Sequence, residues 1–345
     1  MFAPGTTSLQ CEFCGTMNEI DRSNWDYAGM AAKHNFLADV ATLPEAEMEV
    51  VHSIKCSCCG AQTTYNSSVA TVNCDFCGSP LAVSPNDSTK RIKPQGVIPF
   101  KITQDAGRDK FNKWISELWF APGDLKNHAS VESGLTGMYI PYWLYYVDTV
   151  TRYNGKRGDK YYTEEKYKAE DGTMKTKKVE HIKWTPASGV VNKYFKDLVI
   201  SGSTTLGDEG KTLQKHWKFE EMVPYNDQTL TGYKSETYSV DLKEAYKAAQ
   251  KIMEEEIEDA IEKEIGGDRQ QIDHKDIEEK NIEYKHILAP LWISAFRYNG
   301  KSYRFIINGQ NGEISGQRPY STAKIVICVA SILAVIALII MLLMK

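Results

Sequence analysis

Cys56-x2-Cys59 and Cys74-x2-Cys77, with fourteen residues between the pairs, constrain this 345-residue chain more than any other feature. Two thiolate pairs at that spacing can close a tetrahedron around one Zn2+, each pair giving two sulfurs from a tight turn. Gly60 and Gly78 directly follow the second cysteine of each pair. A positive φ there would turn backbone N–H groups back toward the sulfurs. Residues 61–73 are rich in Thr, Val, Asn and Ser and suit two short strands joined by a turn. The expectation is a zinc ribbon over residues 51–84, with Cys56, Cys59, Cys74 and Cys77 holding a structural Zn2+. A pair of disulfides or a redox CxxC is the alternative, and the compartment argued below disfavours it.

Cys58 stands inside the first pair. Only Cys56 with Cys59 reproduces the C-x-x-C-G form of Cys74 to Gly78, so Cys58 is left as a free thiol in a spacer position. A third knuckle, Cys11-Glu12-Phe13-Cys14-Gly15, has the same form but no partner pair. Six paired thiols do not make two four-sulfur sites. Residues 1–20 therefore read as a half knuckle, with Cys11 and Cys14 as a second, incomplete metal site.

The far end of the chain is equally informative. Residues 325–344 are an unbroken apolar run, with Lys324 before it and Lys345 after it. Twenty residues in a helix span roughly 30 Å, the thickness of a bilayer's hydrocarbon core. A buried core helix of that length would show a polar face, and this run has none. The anchor is placed at 324–345. The opening Met1-Phe2-Ala3-Pro4-Gly5 shows no basic n-region or apolar h-region, so no signal peptide is expected. The topology expected is a single-pass protein of the cell membrane with the bulk of the chain cytoplasmic; Arg318 and Lys324 on the near side agree. A reducing cytosol keeps thiols available for zinc.

Residues 21–50 suggest a helical spacer, with Trp25, Tyr27, Met30, Phe36, Leu37 and Val40 partly at helical spacing. Residues 85–320 suggest one mixed α+β cytosolic domain, mainly antiparallel β with two amphipathic helices. A helix over 104–120 carries Phe111, Trp114, Ile115, Leu118 and Trp119 and stops at Pro122-Gly123. A second, over 241–265, has Asp241 as N-cap, Glu244 as its reciprocal partner and Gly266-Gly267 as its end. Its apolar stripe is Leu242, Ala245, Ala249, Ile252, Met253, Ile257, Ala260 and Ile261. Its outer face is acidic around Glu254-Glu255-Glu256 and Glu258-Asp259, either a solvated face or a partner-binding one. Strands are expected at 137–153, 161–168, 179–200, 228–240 and 281–315, with turns at Asn154-Gly155, Asn299-Gly300, Asn308-Gly309 and Asn311-Gly312. Ile140-Pro141-Tyr142-Trp143 and Ala289-Pro290-Leu291-Trp292 resemble each other, as a duplicated hairpin or by chance.

Enzyme motifs fail. Gly207-Asp208-Glu209-Gly210-Lys211-Thr212 looks like the end of a phosphate loop, but Thr205 stands where that motif requires Gly. The seven histidines are scattered, and no catalytic constellation emerges, so the chain is read as a non-enzyme. Nucleic-acid binding is the rival function. The net charge of −4 by itself names no partner, but the ribbon's own charge argues against nucleic acid, since only Lys55 and Asp75 are charged between Val51 and Ser84. A four-thiolate zinc site also carries about −2 of formal charge. Residues 151–200 are net basic, with Lys175, Lys177 and Lys178 clustered, suited to lipid head groups or to a solvated loop.

Several motifs together carry a resemblance. They are the two C-x-x-C-G knuckles, the second continuing Ser79-Pro80; Ile92-Lys93-Pro94 to Val97-Ile98-Pro99-Phe100-Lys101; and Trp119-Phe120-Ala121-Pro122 with Leu125. To these add Tyr139-Ile140-Pro141-Tyr142-Trp143, Tyr153-Asn154-Gly155-Lys156-Arg157-Gly158 and the terminal apolar span. Over residues 9–322 the chain resembles the bacterial membrane-anchored proteins with TFIIB-type zinc ribbons. Members are often labelled primosomal protein N-prime or replication factor Y-like helicases, although this chain lacks a helicase's nucleotide-binding motifs. The resemblance implies an envelope adaptor that docks protein partners of the SPFH/flotillin-like or phage-shock envelope-stress kind, with lipid contact through residues 325–344. It supplies no catalytic residues. Such members carry a complete ribbon where Cys11 and Cys14 stand. That implies an upstream start restoring the missing pair, or else a truncation with free thiols or zinc shared between two chains.

Overall fold

Three long antiparallel strands carry the architecture: β1 (Thr136–Lys168), β2 (Met174–Ser201) and β3 (Arg269–Tyr298). The computed structural model describes residues 1–42, 48–58, 61–64, 71–74, 76, 79–82, 88–128, 130–131, 134–168, 173–213 and 216–343. Two shorter strands, β4 (Lys301–Asn308) and β5 (Ile314–Gly316), extend the sheet in the order β2-β1-β3-β4-β5. The fold is mixed α+β with mostly antiparallel pairing. Its principal helices are α1 (Gln104–Glu117), α2 (Leu242–Ile265) and the C-terminal α3 (Thr322–Leu343).

Strand alternation divides the core into two faces. Met138, Ile140, Tyr142, Leu144 and Tyr146 of β1 point to one side, where they join Ile54, Cys56, Ala61, Cys74, Phe76 and Leu81. Tyr139, Trp143, Tyr145 and Val147 point to the other, which α1 and α2 cover. The cysteine-bearing segment and the acidic helix therefore lie on opposite faces of one sheet.

The local code of α2 is complete. Asp241 accepts the Glu244 amide at 2.8 Å, and Gly266 ends the helix at φ 64°. Leu242, Ala245, Tyr246, Ala249, Met253, Ile257, Ile261 and Ile265 are buried. At about 1.5–3 kcal/mol for each fully buried large side chain, this stripe outweighs helix propensity as the reason α2 forms here. Ile252 and Ala260, also expected in the stripe, are partly buried at its margin.

Several strand expectations change. The expected strands at 137–153 and 161–168 are one strand, and Asn154-Gly155 is no turn. It is a bulge in the pairing of β1 with β3, and a Cβ at Gly155 would lie 2.2 Å from the Gln271 carbonyl oxygen. Glycine serves there for close backbone approach. Residues 269–280, dominated by charged and amide side chains, nevertheless form the first half of β3, with Ile272 and Ile277 packed beneath α2. Conversely, 228–240 is not a strand: it holds the end of a short helix (Asp227–Leu230) and a two-residue strand, Lys234–Ser235. Asn299-Gly300 is the expected tight turn between β3 and β4, both residues with positive φ. The two similar segments pair with each other, Ile140 opposite Ala289. Residues 21–50 hold helices Tyr27–Ala31 and Phe36–Ala41 and the start of strand Met48–Lys55.

Beyond Gly158, which lies opposite the first residue of β3, β1 and β2 continue alone as an exposed two-stranded arm. Lys177 pairs with Glu165 at 3.6 Å and Lys160 with Glu180 at 3.0 Å, so part of the basic cluster is balanced across the arm.

Candidate functional site

The knuckle turn is visible in each of the three cysteine segments. Strand Ser8–Gln10 leads into Cys11, whose amide donates to the Thr16 carbonyl at 2.9 Å before strand Met17–Glu19 returns. Strand Met48–Lys55 leads into Cys56, whose amide donates to Ala61 at 2.7 Å, and Gln62–Thr64 returns. Strand Thr71–Asn73 leads into Cys74, whose amide donates to Ser79 at 2.8 Å, and Pro80–Ala82 returns. In each case the first cysteine bonds the carbonyl five residues on. Gly15, the glycine of the first knuckle, has φ 73°. Gly60 and Gly78, expected to share that geometry, lie outside the described residues.

Burial separates the three. Cys56 and Cys74 are 1% and 2% exposed and belong to one apolar cluster. Cys59 and Cys77 lie outside the described residues, and among those described no group of three or more His, Cys, Asp or Glu side chains gathers to hold a metal. Cys58 is exposed, as a spacer residue would be. Cys11 is partly buried and Cys14 exposed. The Cys14 thiol contacts the Thr16 hydroxyl at 3.1 Å, and that hydrogen bond, followed by the Thr16 amide, lowers its pKa. What is described of the donor set, two buried thiols in one apolar cluster, fits soft-metal ligation in its chemistry; the other two expected donors lie outside the described residues.

One loop fastens both cysteine regions to the sheet. Phe2 donates its amide to the Thr231 carbonyl at 2.7 Å and accepts from the Tyr233 hydroxyl at 3.1 Å. Thr237 donates its amide to Gln62 at 2.9 Å, and the Thr64 hydroxyl donates to Ser235 at 2.7 Å. Residues 231–237 therefore tie the first knuckle at one end and the second at the other.

Beside this seam lies a cavity of about 250 Å3, whose lining includes Glu49, Arg91, Tyr225, Glu236, Tyr238 and His286. Glu236 is 1% exposed; its Oε1 accepts from Ser203 and Thr205 at 2.9 and 2.8 Å, while Oε2 has no hydrogen bond among the described residues. Burial pushes Glu236 up to about 7, against the opposing pull of those hydroxyls. His286 stacks on Trp143 at 4.7 Å and meets the Ile92 carbonyl through Nδ1 at 2.9 Å. Burial lowers it to about 4, which keeps the imidazole neutral. Sequence reasoning missed Glu236 and His286. A charged or polar residue within β-rich sequence normally reads as solvent-facing, so only the tertiary packing reveals them.

The acidic face of α2 is partly neutralised. Lys275 of β3 pairs with Glu254 at 2.6 Å and also with Glu258, and Lys193 of β2 pairs with Glu256 at 2.5 Å. Among the described residues Glu255, Asp259 and Glu262 make no ion pair and are exposed.

The C-terminal helix is unlike the rest. Thr322–Leu342 has a mean hydropathy of 3.3 and none of it is buried against the domain, so one helix is long and apolar enough to cross a membrane.

Compared with known proteins, the chain is 25% identical over 237 residues to the uncharacterized protein YdjG of Bacillus subtilis (strain 168). The match covers 68% of this chain and 66% of that protein. No protein-family model matches the chain. No solved structure matches it either.

Proposed function

We propose that this chain is a membrane-anchored zinc-ribbon adaptor, performing no chemistry itself, that docks protein partners at the cytosolic face of the membrane. The observation that carries the reading is the pairing of an apolar helix that has no buried residue with two buried cysteines whose amides make the same bond five residues on. The first supplies attachment. The second supplies a rigid module if Cys56, Cys59, Cys74 and Cys77 hold Zn2+, because four thiolates leave no open coordination position. When bound, the metal contributes folding free energy and cross-links two turns that have little core of their own. The resemblance to membrane-anchored TFIIB-type zinc-ribbon proteins points the same way, toward SPFH/flotillin-like or phage-shock partners.

Two docking surfaces follow, on opposite faces of the sheet: the ribbon and the outer row of α2. Glu255, Asp259 and Glu262 form an exposed acidic row that can steer a basic partner, whereas Glu254, Glu256 and Glu258 are held by lysines of the sheet. A nucleic-acid binder would need a continuous basic face, whereas Lys177 and Lys160 are matched by Glu165 and Glu180.

Affinity purification from crosslinked membranes tests the proposal. Partners recovered with the wild type should be lost on Cys74→Ser or on combined Glu255→Lys, Asp259→Lys and Glu262→Lys reversal. The reversal spares the α2 ion pairs and hence the fold. An identical partner set from both variants contradicts the adaptor reading, and robust nucleotide hydrolysis by the purified chain contradicts its non-enzyme half.

A further inference from the structure

Trp119 is 75% exposed, although it stands two residues past the end of α1, whose Phe111 and Ile115, with the C-cap Leu118, are core residues. A large aromatic left in water at the end of a well-packed element marks a contact surface. Its position says which one. Trp119 and Phe120 line a groove of about 330 Å3 with Lys324, Ile327, Cys328, Ser331 and Ile332 of α3. The α3 members beyond Lys324 lie three to eight residues on, about 5–12 Å further along the helix axis at 1.5 Å per residue. The two rings thus stand beside the first apolar turns of α3.

The carbonyls of this loop are satisfied within the protein. The Lys324 ammonium donates to the carbonyls of Trp119 at 3.0 Å and Ala121 at 2.8 Å, and the Ser321 amide donates to that of Phe120 at 2.8 Å. Three consecutive carbonyls are satisfied, and Pro122 brings no N–H. Unsatisfied backbone groups are what keep ordinary loops out of a membrane. Nearby, Tyr320 is exposed and the Arg318 guanidinium lies 5.3 Å from its ring centroid. Aromatic and basic side chains at the foot of an apolar helix are the composition of a membrane–water interface. Only five residues, 317–321, join β5 to α3, so the domain has little slack about its anchor.

We propose that the Trp119-Phe120 loop is a second membrane contact, seated in the interfacial layer of the bilayer beside α3. It sets how the β domain stands on the membrane. This rests on α3 being a membrane span.

The test uses the full chain in phosphatidylcholine/phosphatidylglycerol vesicles containing lipids brominated in the upper acyl chain. The difference in tryptophan emission between wild type and Trp119→Phe isolates Trp119, and circular dichroism checks that the exposed substitution leaves the fold intact. At least twofold quenching of that difference signal, weaker with bromine near the chain ends, is expected. An unquenched signal in protein that resists carbonate extraction overturns the loop contact and leaves the anchor standing. Extraction of the protein by carbonate overturns the span and the loop contact together.

Discussion

Cys11-Glu12-Phe13-Cys14 and Cys74-Asp75-Phe76-Cys77 share a residue pattern, a leading strand and the same amide-to-carbonyl bond five residues on. Yet Phe13 is 99% exposed and Phe76 9%. The knuckle is thus a local code that forms wherever the sequence writes it, whereas burial of its cysteines and its aromatic residue is set by what lies beside it. Cys74 shares an apolar cluster with Cys56 and the sheet; the first knuckle is tied down through Phe2, and its cysteines join no such cluster among the described residues. Burial of both leading cysteines belongs to the second and third knuckles.

Substitutions at matched positions can break this comparison. The largest effect is expected from Cys74→Ser, which should release zinc and expose residues 48–92 to protease, because structural zinc in small modules contributes on the order of 10 kcal/mol. Cys14→Ser should leave both unchanged. Next in size, Phe76→Ala should destabilise the chain by about 3 kcal/mol in denaturant unfolding, while Phe13→Ala should fall within about 0.5 kcal/mol. Equal effects at the two phenylalanines would mean that both knuckles are covered.

Glu236 sharpens the comparison from the sheet side, where residues 235–237 meet the second knuckle's return strand. Its folded pKa of about 7 lies above the ordinary carboxylate value of 4.5, so the folded state holds the proton longer. The cost is absent below about pH 4.5, grows as pH rises through the window, and is complete above about 7. Glu236→Gln keeps an acceptor for Ser203 and Thr205 and removes the charge. It should raise stability at pH 8 by on the order of 2–3 kcal/mol and have little effect near pH 4.5. A gain of equal size at both pH values would show that ionisation is not the cause.

Much of this molecule was legible from sequence wherever a signal was local. The α2 stripe with its Asp241 cap, the Asn299-Gly300 turn and the apolar C-terminal helix each lie within one short window. Misreadings came where tertiary partners decide. Asn154-Gly155 carries turn chemistry, but β2 and β3 flank it on both sides and hold it extended. Residues 269–280 look like a solvated stretch until α2 covers Ile272 and Ile277. The ion pairs that occupy Glu254, Glu256 and Glu258 depend on lysines 17 to 63 residues away, beyond the reach of helical periodicity.

Zinc content of the purified full-length chain tests the central claim most directly. The account predicts one zinc per chain, unchanged by combined Cys11→Ser and Cys14→Ser and lost with Cys74→Ser. Zinc retained in the Cys74 variant, or lost when only Cys11 and Cys14 are replaced, would contradict it.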